Sequence, residues 1–241
     1  MKVHSRISGS TYHPVGLRTG LVAAVFVFFA ASLVTAHDQF TEKMASLKRA
    51  VVIVTTYDAH GRPSLQGSGF FIASDRIVTN LHVVNHASEI RIKTFAGNTF
   101  TVHTVIAADG NSDLVLLKMD APCPDAITLQ VNGSPTEGES IILLSNPQGS
   151  HWKVTRGRVG RIWQFEKIGS RMQITAGVFP GSSGGPVLNQ QGQVIGIAVM
   201  RIGSADELNF AVPAESLIIL QATASLAGDR AMASHQPAQP Q

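Results

Sequence analysis

Gly181-Ser182-Ser183-Gly184-Gly185-Pro186 interrupts a series of apolar, strand-like runs in the second half of this 241-residue chain. Three glycines around a pair of serines make a turn with small neighbours. A carbonyl group can approach a hydroxyl there, and backbone N–H groups can point at its oxygen. Taken alone, the same residues also describe an ordinary Gly/Ser hairpin turn. Working outward from it, Val51 to Val212 breaks into short runs rich in Val, Ile, Thr and Phe, with Gly, Pro, Asn, Asp and Ser clusters between them, which is an all-β pattern. Expected strands are Val51 to Tyr57, Gln66 to Ala73, Arg76 to Thr79, Ile90 to Thr94, Thr99 to Ala107 and Leu114 to Met119. After the Pro-containing stretch Ala121 to Pro124 come Ser140 to Ser145, Lys153 to Gln164, Met172 to Thr175, Gly185 to Leu188, Val194 to Arg201 and Leu208 to Val212. Six and six predict two six-stranded antiparallel β-barrels, one over about 50–120 and one over about 135–213. A short helix over Asp38 to Lys48 precedes them and a second over Pro213 to Leu226 follows, with Pro213 suited to a first helical turn. Residues 227–241, rich in Ala, Gln, Pro and Ser, read as a disordered tail.

Two other segments carry chemistry. In Thr79-Asn80-Leu81-His82-Val83-Val84 a histidine ends a β-branched strand, and imidazole can take a proton from a serine near neutral pH and return it to a leaving amine. In Ser112-Asp113-Leu114-Val115-Leu116-Leu117 a carboxylate stands at the mouth of an apolar strand, placed to accept the N–H of an imidazole. A lone His on a loop or a lone Asp starting a strand would be unremarkable.

In the order His, Asp, Ser the three segments resemble the trypsin-like peptidase superfamily, and especially its bacterial HtrA (Deg) branch. Gly67-Ser68-Gly69-Phe70 ahead of the histidine strand and Asn209-Phe210-Ala211-Val212-Pro213 near the end agree with it, so the resemblance spans about Ala50 to Leu220. It implies a chymotrypsin-like double barrel over residues 37–226 and a serine endopeptidase acting through an acyl-enzyme. Ser183 would be the nucleophile, His82 the general base and then acid, and Asp113 the group that orients His82. The N–H groups of Gly181 and Ser183 would form the oxyanion hole. The implied substrates are exported or periplasmic polypeptides, unfolded or extended, with no metal or organic cofactor. Homo-oligomers, as in trimeric relatives, stay open. So does a second reading, a catalytically silent protease-fold binding or chaperone-like protein.

The chain departs from that family in places. Digestive members carry an aspartate just before the nucleophile, where this chain has Ser182. About 20 residues follow Leu220, too few for the PDZ domains usual in HtrA proteases. By the same resemblance the specificity pocket falls at Gly177 and Val178, with Met200 and Arg201 on the opposing wall. No acid stands at Gly177 to pair with Lys or Arg, which favours apolar side chains of small to medium size before the cut, unless Arg201 turns inward.

Leu21 to Val34 is an uncharged run of 14 residues preceded by Lys2, Arg6 and Arg18, and Val34-Thr35-Ala36 ends it with a signal-peptidase-like site. Residues 1–36 therefore read as a signal peptide with the mature chain starting at His37. The rival is a retained anchor, since Thr19 to Ala36 is just long enough to span a bilayer. Either way the folded part is exported, periplasmic or secreted, and membrane association depends on keeping that segment. Without it, 16 basic residues face 16 acidic ones, so the basic balance belongs to the leader and nothing suggests a nucleic-acid surface. Cys123 is the sole cysteine, which excludes an intramolecular disulfide, and it reads as a structural or incidental thiol. His82 and His86 have the i, i+4 spacing of a helical zinc site, but Val83 stands where such a site keeps its glutamate and the preceding residues read as strand. No metal site is expected. Trp152 and Trp163 read as barrel packing.

Overall fold

The computed structural model describes residues 42–147, 151–202 and 208–233, with backbone alone for 200–202 and 227–233. Packing divides the chain into Met1–Met44 and Ala45–Gln241. The larger unit carries all that follows, and the leader read over residues 1–36 lies outside the described residues. Residues 42–49 are helical (α1). Among the described residues, no helix is long and apolar enough to cross a membrane.

Alternating β-branched and aromatic residues build the first layer: β1 (Val51–Tyr57), β2 (Pro63–Ala73), β3 (Arg76–Asn80), β4 (Glu89–Lys93), β5 (Thr99–Val102), β6 (Thr104–Asp109) and β7 (Leu114–Lys118). They form one antiparallel sheet in the order β5-β4-β1-β2-β3-β7-β6. The count is seven where six were expected, because the run Thr99 to Ala107 is divided at His103. Val102 pairs with Ile90 at one edge of the sheet, while Thr104 pairs with Lys118 at the other. Edges linked by a single residue require the sheet to curl back almost onto itself. The expected strand is one segment bent between the two edges of a half-barrel. Inside it Val52, Val54, Phe71, Ile77, Ile92, Val115 and Leu117 share a core with the buried thiol of Cys123.

The second set closes fully. β8 (Ser140–Ser145), β9 (Lys153–Phe165), β10 (Gly169–Ile174), β11 (Pro186–Leu188), β12 (Val194–Ile202) and β13 (Leu208–Pro213) form a six-stranded barrel, in the order β10-β13-β12-β11-β8-β9. Its core is Ile141, Leu143, Val159, Met172, Ile174, Val187 and Ile195 with their neighbours. Trp163 is not among them. It stands 39% exposed on β9 with the Arg161 guanidinium 4.6 Å over its ring, and Trp152 packs against Phe95 at 5.5 Å between ring centroids. Both indoles therefore lie outside the barrel cores, contrary to the sequence expectation.

A one-turn helix, α2 (Leu81–Val84), follows β3. Helix α3 (Ala214–Ala233) follows β13, burying Leu217 and Leu220 and packing on β6 and β7 as well as β12 and β13. It therefore straps both barrels. Pro213 ends β13 rather than opening the helix, because its carbonyl side still pairs with Gly196. The helix continues past the expected end at Leu226.

Candidate active site

Asp113 and His82 meet at the end of the first sheet, where β3 and β7 run side by side and Asn80 pairs with Leu114. Asp113 sits at φ 60°, a left-handed backbone that Asp tolerates better than most residues. That conformation turns both ends of the residue toward α2. Its carbonyl accepts the N–H of Leu81 at 3.0 Å and the Asn80 side-chain amide at 3.0 Å. Carboxylate Oδ1 accepts the backbone N–H of His82 at 2.8 Å, and Oδ2 lies 2.6 Å from His82 Nδ1. One residue thus caps the short helix and fixes the imbidazole it carries, leaving Nε2 as the ring's acceptor. The imidazole is about half exposed, at 48%, and the carboxylate is more covered, at 20%.

The serine loop comes from the second barrel. Phe179-Pro180-Gly181-Ser182 is a turn closed by Ser182 N–H donating to the Phe179 carbonyl at 2.8 Å, with Gly181 at φ 88°. Proline second and a positive-φ glycine third are the requirements of a type II turn. The return bond runs from Phe179 N–H to Ser182 Oγ at 3.2 Å, and Ser182 Oγ is 3.1 Å from Ser145 Oγ. A buried hydroxyl pair therefore braces the turn where the digestive enzymes use a carboxylate.

Alternate peptides of the loop are held at both ends. The Gly181 carbonyl accepts from Ser68 Oγ at 2.8 Å, and its peptide's N–H is the one bonded to Phe179. The Ser183 carbonyl accepts from Ser68 N–H at 2.8 Å, and the following N–H, of Gly184, donates to Ala198 at 2.8 Å. Among the described residues, this bonding leaves out the N–H groups of Gly181 and Ser183. Gly184, at φ 86°, could not carry a side chain, because a Cβ would run into the Ser68 carbonyl and the Thr79 hydroxyl. Ser183 Oγ itself donates to the Val199 carbonyl on β12 at 3.1 Å. A hydroxyl has one proton, so in this rotamer it is directed to Val199 and not to His82.

Ser68 is the residue whose role sequence reasoning missed. Wholly buried on β2, it accepts the N–H of Asn146 at 3.0 Å, donates to Gly181, and receives the Thr79 hydroxyl on its own carbonyl at 2.7 Å. Its motif was visible in Gly67-Ser68-Gly69-Phe70, but a contact 113 residues along the chain was not.

The pocket candidates divide. The Gly177 carbonyl accepts from Thr155 Oγ1 at 3.1 Å, and the Phe179 ring lies so close that a Cβ at Gly177 would meet it at 3.2–3.3 Å. Lys153 Nζ stands 3.2 Å from the centroid of that ring, a cation–π contact. Val178 does not present its side chain to a pocket: it is in the barrel core, and its N–H donates to Asn209 Oδ1 at 3.2 Å. The side chains of Met200 and Arg201 lie outside the described residues.

Behind Asp113 lies a small charged network. Asp109 accepts the N–H groups of Asn111 and Ser112 and the Ser112 hydroxyl, the last at 2.6 Å. Burial acts to raise the Asp109 carboxyl, but these bonds and the attraction of Arg171 outweigh it and hold the group below its ordinary value.

Residues 67–197 match the trypsin-like peptidase domain family, and the chain belongs to it. Within that family it stands on the HtrA side. It is 34% identical to a probable periplasmic DegP-like serine endoprotease of Hahella chejuensis, over 61% of this chain and 33% of that protein. It is 29% identical to the anti-sigma-I factor RsgI9 of Acetivibrio thermocellus, over 70% of this chain and 24% of that one. In three dimensions it superposes on the active form of the Rv3671c protease from M. tuberculosis with a TM-score of 0.67 and 25% identity, covering 74% of this chain and 82% of the other. The chymotrypsin-like double-barrel fold expected from the sequence is the fold observed. The chain spans about a quarter to two thirds of the length of the curated relatives it matches, a third or less for the two named here.

Proposed function

We propose that this chain is a serine endopeptidase of exported polypeptides, with Ser183 as nucleophile, His82 as general base and acid, and Asp113 orienting His82. The observation that carries this reading is the double engagement of Asp113 with His82, through the backbone N–H and Nδ1. With the ring proton on Nδ1, facing a carboxylate that can only accept, Nε2 is left to accept from the serine. The reaction requires the Ser183 hydroxyl to leave the Val199 carbonyl and donate to Nε2 instead. Attack on a carbonyl then passes the proton to Nε2, and the same proton goes on to the leaving amine as the acyl-enzyme forms. The two N–H groups left out of the loop's bonding, Gly181 and Ser183, are suited to receive the oxyanion. Water hydrolyses the ester in a second round of the same transfers.

Export is supported by the leader-like sequence of residues 1–36 and by the periplasmic relative named above. Polypeptide substrates follow from the peptidase family to which the chain belongs, and extended or unfolded ones are part of this proposal. The test is labelling by a fluorophosphonate probe and turnover of casein by residues 37–241, compared with Ser183→Ala. Labelling and cleavage by the parent alone support the reading. A folded parent that does neither sinks it.

A further inference from the structure

A cavity of about 210 Å³ opens where the β4–β5 turn, the segment after β7 and the residues leading into β1 come together. It lies at the far end of the first sheet from His82 and Asp113. β3 and β7 pair from Arg76–Lys118 at one end to Asn80–Leu114 at the other. Asp113 stands beside the second of these pairs, while Cys123 donates its N–H to the Ser74 carbonyl, just before the first, at 2.8 Å. The ring of Phe71 and the thiol of Cys123, 1% and 2% exposed, form the apolar floor. Phe95 forms a wall, with Trp152 packed against its ring. Thr94 also lines the cavity, and it is almost wholly buried. Its N–H donates to the Asn98 carbonyl at 2.9 Å and its carbonyl accepts from Gly97 at 3.0 Å, so the backbone is satisfied. Its hydroxyl is not: Oγ1 is buried and has no partner among the described residues. A buried hydroxyl left alone is costly, and one that borders a cavity is a group that a ligand can satisfy. Two exposed side chains of opposite charge, Arg49 and Asp125, line the same cavity. Among the described residues neither is engaged in an ion pair or a side-chain hydrogen bond.

We infer that this cavity binds a small zwitterion with an apolar tail, a free α-amino acid the size of valine or leucine. Its carboxylate meets the Arg49 guanidinium and its ammonium meets Asp125. The Thr94 hydroxyl donates to the carboxylate oxygen that Arg49 leaves free, and the tail lies on Phe71, Cys123 and Phe95. Size sets the class. At about 30 Å³ for each water in the liquid, the cavity has room for roughly seven waters, which suits a ligand of about seven to ten non-hydrogen atoms. A folded peptide segment or a nucleotide is too large for it. A simple anion would use Arg49 and Thr94 but leave Asp125 and the apolar floor without a role. Water alone would satisfy Thr94 and leave both charges and the floor unused. A molecule that carries both signs on adjoining atoms, next to a short hydrocarbon, uses every group that lines the site.

This site stands apart from the proposed peptidase chemistry, and its test needs no activity. In the full chain carrying Trp163→Phe, Trp152 is the one tryptophan left, and its ring against Phe95 reports on what enters the cavity. Titrated with L-leucine, the protein should show a saturable change in fluorescence with a Kd of about 0.1–1 mM, and calorimetry on the same sample should give the same affinity. Thr94→Val keeps the shape and removes the hydroxyl. It should weaken leucine roughly five- to tenfold while leaving the unliganded protein at least as stable as the parent. Arg49→Gln and Asp125→Asn change exposed side chains that the fold tolerates losing, and each should weaken leucine about three- to fivefold. Isocaproate and isoamylamine keep the tail and one charge each, and both should bind at least roughly tenfold more weakly than leucine. Absence of heat and of a fluorescence change up to about 10 mM leucine overturns the proposal. Equal affinity in the parent and all three variants does so too, since leucine would then sit elsewhere. Isocaproate or isoamylamine binding as tightly as leucine overturns the zwitterion. If Thr94→Val does not fold, the two exposed variants carry the comparison. A chain that binds leucine but never reacts with a fluorophosphonate refutes the proposed function and leaves this site standing.

Discussion

Replacing Ser68 by Ala removes one hydroxyl and orphans two groups, the Asn146 N–H and the Gly181 carbonyl. Ser68 and Asn146 are both buried, so water cannot easily take over. Each orphaned group costs about 1–3 kcal/mol, and allowing for partial relaxation the pair should cost roughly 2–4 kcal/mol. That is a large share of a typical folding free energy of about 5–15 kcal/mol, yet not all of it. With a urea slope of about 2–3 kcal/mol/M for a chain of this size, the midpoint should fall by roughly 1 M. The second effect is local. The Gly181–Ser182 peptide would keep its tie to Phe179 but lose its tie to the first sheet, and the neighbouring donors would wander. Misplacement of that kind costs up to about a hundredfold in rate, so fluorophosphonate labelling in dilute buffer should slow by at least roughly tenfold while the protein stays folded. Urea unfolding followed by intrinsic fluorescence, with labelling rates taken far below the unfolding zone, measures both. An unchanged midpoint with labelling within twofold of the parent would refute the idea that Ser68 holds the serine loop.

Asp113→Asn retains the shape but offers an amide where Nδ1–H now finds an acceptor, so the ring can adopt the opposite tautomer; labelling should drop by about 10³ to 10⁴ with little change in melting temperature. Retention of a tenth of the parent's rate would contradict the assignment of Asp113. Asp109, held below its ordinary value, contributes stability that is fully present above the normal carboxylate range of about pH 4 and is lost as pH falls through its lower folded value. Asp109→Asn should therefore be less stable than the parent at pH 7, with the two urea midpoints converging as the solution is acidified, and parallel curves would exclude this linkage.

The strands were legible because their residues are distinctive: β-branched runs between turn residues placed β1, β3 and β8 within a residue of where they lie. The bend at His103 was not, since nothing in Thr99 to Ala107 distinguishes a straight strand from one that leaves one sheet edge and joins the other. Of the candidate site, His82 and Asp113 are in contact as the motif order implied, and Gly181 has the positive φ that its place after Pro180 suggests. What sequence could not provide was the company these residues keep. Val178 follows Gly177 directly, yet its side chain packs into the barrel core. Arg171 in a strand pattern looks like a solvated charge, yet it is buried and one of its nitrogens reaches the Asn111 carbonyl 60 residues away. Ser68 looks like a small spacer between glycines, and both hydrogen bonds of its hydroxyl reach residues more than 70 positions along the chain.

Among the described residues, the hydrogen bonds to the backbone N–H and ring of His82 come from Asp113, and both residues sit at the end of the first sheet. The proton-handling half of the proposed machinery is therefore finished once about the first 120 residues have folded, while the serine arrives only with the second barrel. Where amino-terminal units fold first, this sets an order of assembly. A growing chain would hold a competent base with nothing to activate, and could not attack its neighbours or itself until β11 and β12 had seated the last loop against Ser68. Folding sequence alone would then supply the restraint that other proteases obtain from a propeptide.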